Sequence, residues 1–325
     1  MCSLFLVLSQ LQFMPKQEYR LPRKKTENQC LTIWEVPVNK ASTFAVLRNE
    51  PNTTMSIAAS STFVAADGDG YELQMGRWSR RLCEPFLDFA GTELGESILD
   101  VGCGTGCIAE ALIRRSQFSR LRGVDFSPVY VDHAASRIRD LRVTFEVGDA
   151  CALNLPDGSF DRVLSLLVLH FVPKAERAIA EMRRVARPGA VVAAAVWDAR
   201  GGFVANRIFF DTAAALDPKA AERRARNYTR PMTRPGELAN AWRAAGFVHV
   251  SETTLGIRME FASFEDYWAP YEGKDGPGAE YMATLSETDR TKLREAVRLA
   301  YVDGEADGPR SYGALAWAVK GIAPA

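Results

Sequence analysis

The segment "ILDVGCGTGCIAEAL", residues 98–112, most constrains what this chain can fold into. An apolar run ends at Asp100, three glycines follow at alternate positions, and a helix-forming stretch begins directly after them. Glycine lets the backbone turn tightly and lets a ligand approach without a Cβ in the way. The pattern therefore predicts a buried strand, a ligand-binding turn and a helix.

Strands and helices continue to alternate from residue 96 to 198. The predicted strands are "ESILDV", "LRGVD", "VTFEVGD", "FDRVLSLLVL" and "AVVAAAVW". The last is apolar throughout, as is typical of a strand covered on both faces of a parallel sheet. Ser127-Pro128 begins one intervening helix, and Arg187-Pro188-Gly189 ends another. This rhythm predicts a doubly wound α/β sheet with helices on both faces.

The N-terminal part differs in character from the rest. Residues 1–54 lack a sustained period and carry the basic patch "RLPRKK", so we expect them to lie outside the fold, as an extension or an upstream misassigned start. Residues 55–95 are predicted to form a helical cap, with a helix over about 72–90 in which Pro85 marks a candidate break.

Residues 96–198 are predicted to form the ligand-binding core, and 199–325 the remainder of the same domain. Insertions at 200–233 and 263–301 interrupt the alternation and are candidate lids. Two strands, "VHVSETTLGIRMEF" and "SYGALAWAVKGI", are expected at the far edge of the sheet. The insertions contain aromatic residues that suit either a flat, lipophilic ligand or the packing of lid helices: Phe203, Phe209, Phe210, Tyr228, Trp268 and Tyr271.

Composition excludes several classes of protein. Forty basic and forty acidic residues cancel, which argues against a nucleic-acid-binding surface. No apolar run approaches the ~20 residues that cross a bilayer. The start "MCSLFLVLSQLQFM" lacks the basic segment and cleavage site of a secretory signal, so we predict a cytoplasmic protein. The six cysteines show no paired framework and are expected to be reduced, and no cluster with the spacing of metal ligands is found.

Polar residues follow four of the predicted strands. Asp100, Asp125 and Asp149 end the first three, and His170 ends the fourth. Ligands of an open parallel sheet bind outside the carboxyl ends of its strands, so these groups should converge on one edge. An ionised carboxylate at Asp125 accepts hydrogen bonds only, which suits the two hydroxyl donors of a ribose.

A dinucleotide-binding protein would also place an acid there, and the glycine spacing separates the two cases. The dinucleotide fingerprint G-x-G-x-x-G requires glycine at position 107, which is Cys107. The chain has D-x-G-x-G-x-G instead, with Asp100 two residues before the first glycine.

Four ordered segments, "ILDVGCGTG", "VDFSP", "EVGDACALNLPDGSFDRVLSLLVLHFV" and "RRVARPGAVVAAAVWD", resemble the class I S-adenosylmethionine-dependent methyltransferases. The branch most similar is that of the ubiquinone and menaquinone biosynthesis enzymes (methyltransferase type 11). The resemblance is dense over 96–198 and looser over 71–95 and 234–321. It implies a Rossmann-like seven-stranded sheet, mostly parallel with an antiparallel edge, and S-adenosyl-L-methionine as the cofactor of the core.

The resemblance also implies residue roles. Asp100 and the loop would hold the methionine part of the cofactor; the loop residues are Gly102, Cys103, Gly104, Thr105 and Gly106. Asp125 would bind the ribose hydroxyls, with Phe126 against the adenine, and Asp149 would accept from the adenine amino group, with Ala150 at its side. Ser127 is also expected to be a cofactor-binding residue. Leu166 or Leu167 would lie beneath the cofactor. Tyr71, Arg77 and Trp78, in a segment similar to the family's N-terminal helix, would contact the cofactor carboxylate or close the pocket, or simply pack.

The acceptor chemistry stays open at this stage. His170 is the candidate catalytic base, although capping or packing explains a histidine there equally well. Asp198 is a base, an orienting group or a loop residue. We expect a methyltransferase acting on a small molecule, aromatic or quinone-like. The alternatives are a dinucleotide-dependent oxidoreductase and a cofactor-binding protein without catalysis.

Overall fold

A computed structural model of the chain describes residues 61–63, 65–115 and 118–325. The extension predicted at 1–54 and the first residues of the predicted cap, 55–60, lie outside the described residues.

One seven-stranded sheet forms the centre of the described fold, with strand order β3-β2-β1-β4-β5-β7-β6. The strands are β1 Ser97–Val101, β2 Arg120–Asp125, β3 Val143–Val147, β4 Phe160–Leu166, β5 Ala186–Trp197, β6 Val248–Phe261 and β7 Arg310–Ile322. The first five run parallel, and β7 is antiparallel to both of its neighbours. The Rossmann-like, mostly parallel sheet with an antiparallel edge is confirmed.

Helices cover both faces of the sheet, because two apolar clusters form, one on each side. The α-helices are α1 Gly68–Tyr71, α2 Arg77–Ala90, α3 Cys107–Arg115, α4 Pro128–Arg137, α5 Ala175–Val185, α6 Val204–Leu216, α7 Pro218–Tyr228, α8 Glu237–Ala244, α9 Phe264–Trp268, α10 Gly276–Ala283 and α11 Glu287–Val302. None of these described helices is long and apolar enough to span a membrane.

The helix predicted near Pro85 is not interrupted there, which corrects the sequence expectation. Helix α2 runs through Pro85, and the turn that departs from α-geometry is a π-helical one at Glu72–Gly76. Trp78, Leu82 and Phe86 form the buried face of α2. Packing of this face outweighs the roughly 3 kcal/mol that an internal proline costs a helix.

The helix predicted to end at Arg187-Pro188-Gly189 ends earlier. Helix α5 stops at Val185, and residues 186–189 begin strand β5. Ala186 pairs with Phe160 of β4, and the register of the two strands shifts directly afterwards. Pro188 and Gly189 therefore lie in the irregular start of β5 rather than in a helix cap.

The two predicted insertions are helical. The first carries α6 and α7, and the second carries α9, α10 and α11. Most of their aromatic residues pack into the core: Phe209, Phe210 and Trp268 are at most 1% exposed, and the Tyr271 ring stacks on Phe209 at 3.9 Å. Most of these aromatic side chains therefore pack the insertion helices against the core rather than lining a ligand site.

Candidate active site

The glycine turn connects β1 to α3 at the carboxyl edge of the sheet. The backbone N–H groups of Gly102 and Cys103 both donate to the carbonyl of Val124, at 2.7 and 3.1 Å. Gly102, Gly104 and Gly106 all have positive φ, at 77°, 53° and 93°. This left-handed conformation is the one that glycine adopts without steric cost.

The three glycines differ in what surrounds them. A Cβ on Gly102 would lie 2.2 Å from Cγ2 of Val168, and one on Gly106 would lie 2.5 Å from Cδ1 of Ile138. A Cβ on Gly104 would meet no protein atom within 4 Å. Gly102 and Gly106 therefore allow close packing, whereas Gly104 leaves space for a ligand.

Asp125 ends β2 and faces the same turn. Its Oδ2 accepts from the Gly104 backbone N–H at 2.8 Å, and its Oδ1 accepts from the Ser127 N–H at 2.9 Å. Each carboxylate oxygen can accept a further hydrogen bond. Burial raises the pKa of Asp125 to about 6, so the group is mainly ionised at neutral pH.

A cavity of about 640 Å³ opens in front of the turn. Its walls are mostly apolar and come from the strand ends and from the segment before α2. They include Phe63, Tyr71, Gly102, Gly104, Val124, Asp125, Phe126, Tyr130, Gly148, Ala150, Leu166, Leu167 and Phe171. We call this space the turn cavity.

Several residues predicted to bind the cofactor line the turn cavity. They are Tyr71, Gly102, Gly104, Asp125, Phe126, Ala150 and Leu166, and Leu167 joins Leu166 there. Leu167 has a φ of 64°, unusual for leucine, and this strained backbone carries the chain from β4 toward His170.

The other predicted cofactor residues lie beside or behind the cavity. Ser127 caps α4 by accepting from the Tyr130 N–H. Asp149 accepts from the Cys151 N–H at 2.8 Å, which forms the turn after β3. Cys103, Thr105 and Gly106 continue the glycine turn into α3. These three residues are not among the cavity walls.

Asp100 lies behind the turn rather than in the cavity wall. It is 1% exposed, and neither carboxyl oxygen has a hydrogen-bond partner within the described part of the chain. Burial, with the nearby Asp125 charge, raises the pKa of Asp100 to about 8. A buried, unpartnered acid at this position is suited to a positively charged ligand group, which would favour its ionised form.

Arg77 and Trp78 lie away from the turn cavity. Nη1 of Arg77 is 2.9 Å from Oδ1 of Asp266, and its guanidinium lies over the rings of Trp78 and Phe261. Trp78 is 2% exposed and is part of the core. The structure thus places both in the packing of α2 against β6 and α9.

A second cavity of about 640 Å³ adjoins the first, since Phe63, Tyr71, Leu167 and Phe171 line both. Its remaining walls come from the end of β5, from the first insertion and from neighbouring segments: Gln74, Met75, His170, Trp197, Ala199, Phe203, Asn206, Asn227, Arg230 and Pro277. We call this space the acceptor cavity.

His170 lines the acceptor cavity and is 5% exposed. Burial, and then the positive charge of Arg230, hold the pKa of His170 well below its usual range. Its Nδ1 has no partner among the residues that the structure describes. His170 is therefore neutral at physiological pH and retains a ring nitrogen for a ligand. Asp198, by contrast, accepts from the Gly201 N–H at 2.9 Å and shapes a loop.

Three residues of the site carry no local sequence signal. Glu72 accepts from the Thr105 hydroxyl at 2.6 Å and so ties the π-helical turn to the glycine turn. Asp275, 1% exposed, accepts from the Ala66 N–H at 2.7 Å and from the Tyr130 hydroxyl at 3.3 Å. Arg230 enters the acceptor cavity from a loop. Only tertiary contacts distinguish these from ordinary charged residues.

The turn cavity fits the cofactor that the sequence resemblance implies. Gly104 leaves space that a side chain would fill, Asp125 has acceptor capacity for hydroxyls, and Asp100 is an unpartnered acid beside the turn. These features match a molecule that combines a ribose with a cationic amino-acid part.

Comparisons with known proteins agree with this geometry. The methyltransferase domain family of type 11 matches residues 99–194. Over 107 residues the chain is 36% identical to the 2-methyl-6-phytyl-1,4-hydroquinone methyltransferase of Synechocystis sp.. The aligned segment covers 33% of this chain and 33% of that protein. Over 115 residues it is 35% identical to the demethylmenaquinone methyltransferase of Thermus thermophilus, covering 35% of this chain and 50% of that protein.

A solved structure shares the fold. Phosphoethanolamine N-methyltransferase 2 of Haemonchus contortus superposes with a TM-score of 0.52 at 16% identity, covering 79% of this chain and 57% of that one. The chain spans half or less of the length of the curated relatives it matches. The matched domain, its motif order and the sheet topology together show that residues 99–194 of this chain form a methyltransferase domain of type 11.

Proposed function

We propose that this chain transfers a methyl group from S-adenosylmethionine to a small-molecule acceptor with an aromatic or other apolar body. The observation that carries the proposal is the pair of adjoining cavities at one sheet edge, which share the walls Phe63, Tyr71, Leu167 and Phe171. One cavity has the features of a cofactor site, and the other has room for a second molecule. Two bound molecules would thus meet across a shared aromatic boundary.

Residues of the turn cavity would hold the cofactor. Asp125 would accept from the ribose hydroxyls, Phe126 and Ala150 would border the adenine, and the backbone at Gly104 would lie against the methionine part. When bound, S-adenosylmethionine supplies an electrophilic methyl group on a positively charged sulfur. We infer that Asp100 complements the cationic part of the ligand from behind the turn.

The chain's contribution to the reaction is chiefly positioning. Holding two reactants at near-attack distance is worth roughly 7–11 kcal/mol in favourable model systems. The aromatic rings of Phe63, Tyr71, Tyr130 and Phe171 pack against one another, with centroids 4.8–6.5 Å apart, and would exclude water from the shared boundary. An apolar enclosure of this kind suits a displacement at a cationic centre.

His170 would act on the acceptor rather than on the cofactor. Because its pKa is held low, its imidazole is neutral and can accept a hydrogen bond or a proton from the attacking group. A depressed pKa makes it a weak base, so we expect it mainly to orient an acceptor hydroxyl or amine.

The apolar and aromatic walls of the acceptor cavity, among them Met75, Trp197 and Phe203, support an aromatic acceptor. The names of two relatives, which describe methylation of a hydroquinone and of demethylmenaquinone, point to quinone-like compounds as one class to test. The glycine pattern does not favour a nicotinamide dinucleotide, because Cys107 begins α3 where the third glycine of that fingerprint would stand.

The test is calorimetric titration of the full chain with S-adenosylhomocysteine and separately with NAD. We expect micromolar binding of the first and none of the second. Methyl transfer is then assayed with labelled S-adenosylmethionine against quinols, phenols and aromatic amines. Failure of S-adenosylhomocysteine to bind folded protein would contradict the proposal. Binding without transfer to any acceptor would favour a cofactor-binding protein that lacks catalysis.

A further inference from the structure

Arg230 is the charged group of the acceptor cavity. Among the described residues that line this cavity there is no aspartate or glutamate, and His170 is neutral. The guanidinium of Arg230 lies over the Phe171 ring, 4.2 Å from its centroid. The cavity thus presents one positive charge against aromatic walls.

This charge lacks a counter-ion within the described part of the chain. Arg230 forms no ion pair with any described residue. Other partly or fully buried arginines, such as Arg77, Arg162 and Arg223, are each paired with a carboxylate. The negative charge of Glu280 favours the protonated form of Arg230, but the Glu280 carboxylate forms its ion pair with Arg223, whose Nη1 is 2.7 Å away. Burial lowers the pKa of Arg230 to about 10, which leaves it protonated at neutral pH. A half-buried cation without an ion-pair partner favours binding of an anion.

Three polar atoms on residues that line the same cavity also lack partners. Nε1 of Trp197, Nδ1 of His170 and Oε1 of Gln74 are buried and make no hydrogen bond to any described residue. Buried polar atoms are nearly always bonded in folded proteins, so three unbonded ones on residues that line one cavity are consistent with a polar ligand there. The Trp197 indole only donates, as does a guanidinium, and both therefore suit an acceptor oxygen.

We propose, on the basis of the proposed methyltransferase function, that the acceptor is an aromatic or other apolar carboxylic acid whose carboxylate is bound by Arg230. A carboxylate matches the planar fork of a guanidinium with two parallel hydrogen bonds. It also neutralises the single charge of the cavity, whereas a phosphate dianion would leave one negative charge among apolar walls. The aromatic walls would contact the body of the acid, and His170 or Gln74 would contact its reacting group.

The test uses the 325-residue chain saturated with S-adenosylhomocysteine, titrated by calorimetry with benzoate, 1-naphthoate and 3-phenylpropanoate and with the primary amide of each. We expect at least one acid to bind about tenfold or more tightly than its amide, because a charge-assisted pair replaces a neutral contact. Arg230→Gln should remove this preference. Arg234→Gln changes an exposed arginine of the same loop and should preserve it.

The outcomes separate this inference from the proposed function. Loss of S-adenosylhomocysteine binding in the wild type would contradict the function itself. Normal cofactor binding with equal affinity for acids and amides, or with no acid bound, would overturn the inference alone. It would also be overturned if Arg230→Gln weakened binding of S-adenosylhomocysteine instead, which would assign Arg230 to the cofactor carboxylate. Tighter binding of phenyl phosphate than of benzoate would overturn the assignment to a carboxylate.

Discussion

Oδ2 of Asp125 accepts a hydrogen bond from the backbone N–H of Gly104 over 2.8 Å. This contact joins the end of β2 to the glycine turn that follows β1. The carboxylate thus both fixes the turn and faces the cavity beside it, so it has a structural role and a proposed ligand-binding role at once.

Removal of the Asp125 carboxylate should weaken cofactor binding strongly. We expect Asp125→Ala to lower the affinity for S-adenosylhomocysteine by about 10- to 100-fold, since hydrogen bonds to a charged group are worth roughly 1.5–3 kcal/mol each. Calorimetric titration measures the change. Asp132→Asn, an exposed aspartate on α4, is the matched control and should bind as the wild type does. An unchanged affinity in Asp125→Ala would remove Asp125 from the site.

Two glycine substitutions should separate ligand approach from packing. Gly104→Ala places a methyl group where no protein atom lies within 4 Å, so it should cost about 1 kcal/mol of stability yet weaken binding of S-adenosylhomocysteine at least tenfold. Gly102→Ala collides with Val168 and should instead lower the unfolding free energy by several kcal/mol. Denaturant unfolding and calorimetry report the two effects. Full-affinity binding in Gly104→Ala would show that the ligand does not approach this glycine.

Asp100 should make the stability of the ligand-free protein fall as pH rises. Its pKa is near the usual 3.8 when unfolded and about 8 when folded, so the folded state holds a proton that the unfolded state releases between these values. Its contribution is complete below about pH 4 and is lost as pH rises through 8, by at most about 1.4 kcal/mol per pH unit. Urea unfolding from pH 5.5 to 8.5 should give a flatter profile for Asp100→Asn than for the wild type. Parallel profiles would show that Asp100 is ionised in the folded protein.

His170 should stay neutral across the physiological range. Because burial and Arg230 hold its pKa well below 6.5, its C2 proton resonance should not shift between pH 8 and 5.5. The resonance is identified by its absence in His170→Gln. Arg230→Gln removes the neighbouring positive charge and should move the titration upward. A midpoint at or above 6.5 in the wild type would contradict this account.

Asp275 should hold the segment before α2 over the turn cavity. It accepts from the Ala66 N–H at 2.7 Å and from the Tyr130 hydroxyl at 3.3 Å, and both contacts disappear in Asp275→Ala. We expect faster amide exchange over residues 66–71 and a several-fold faster release of S-adenosylhomocysteine. The control is Asp69→Asn, an exposed acid on α1. If exchange and release matched the wild type, other contacts would hold the segment.

Much of the turn cavity follows from local sequence. The acid and the glycine pattern specify a strand and a turn within a few residues, and β-strand ends of a parallel sheet must share an edge. Asp125 and Phe126 follow their strand directly, which is why sequence order alone placed them beside the turn. The π-helical start before α2 and its passage through Pro85 were not predicted, because packing of Trp78 and Leu82 overrides the local preference of proline.

The acceptor side was decided by tertiary structure. Phe203, Phe209 and Trp268 are all buried aromatic residues of the insertions, but only Phe203 of the three lines the acceptor cavity. Arg230 faces the cavity and Arg234 faces solvent, four positions apart in the same loop. By itself the sequence determined the sheet, the glycine turn and the polar strand ends, because these depend on neighbours along the chain. Which side chains enter the second cavity depends on neighbours far apart in sequence, and only the packed insertions bring those together.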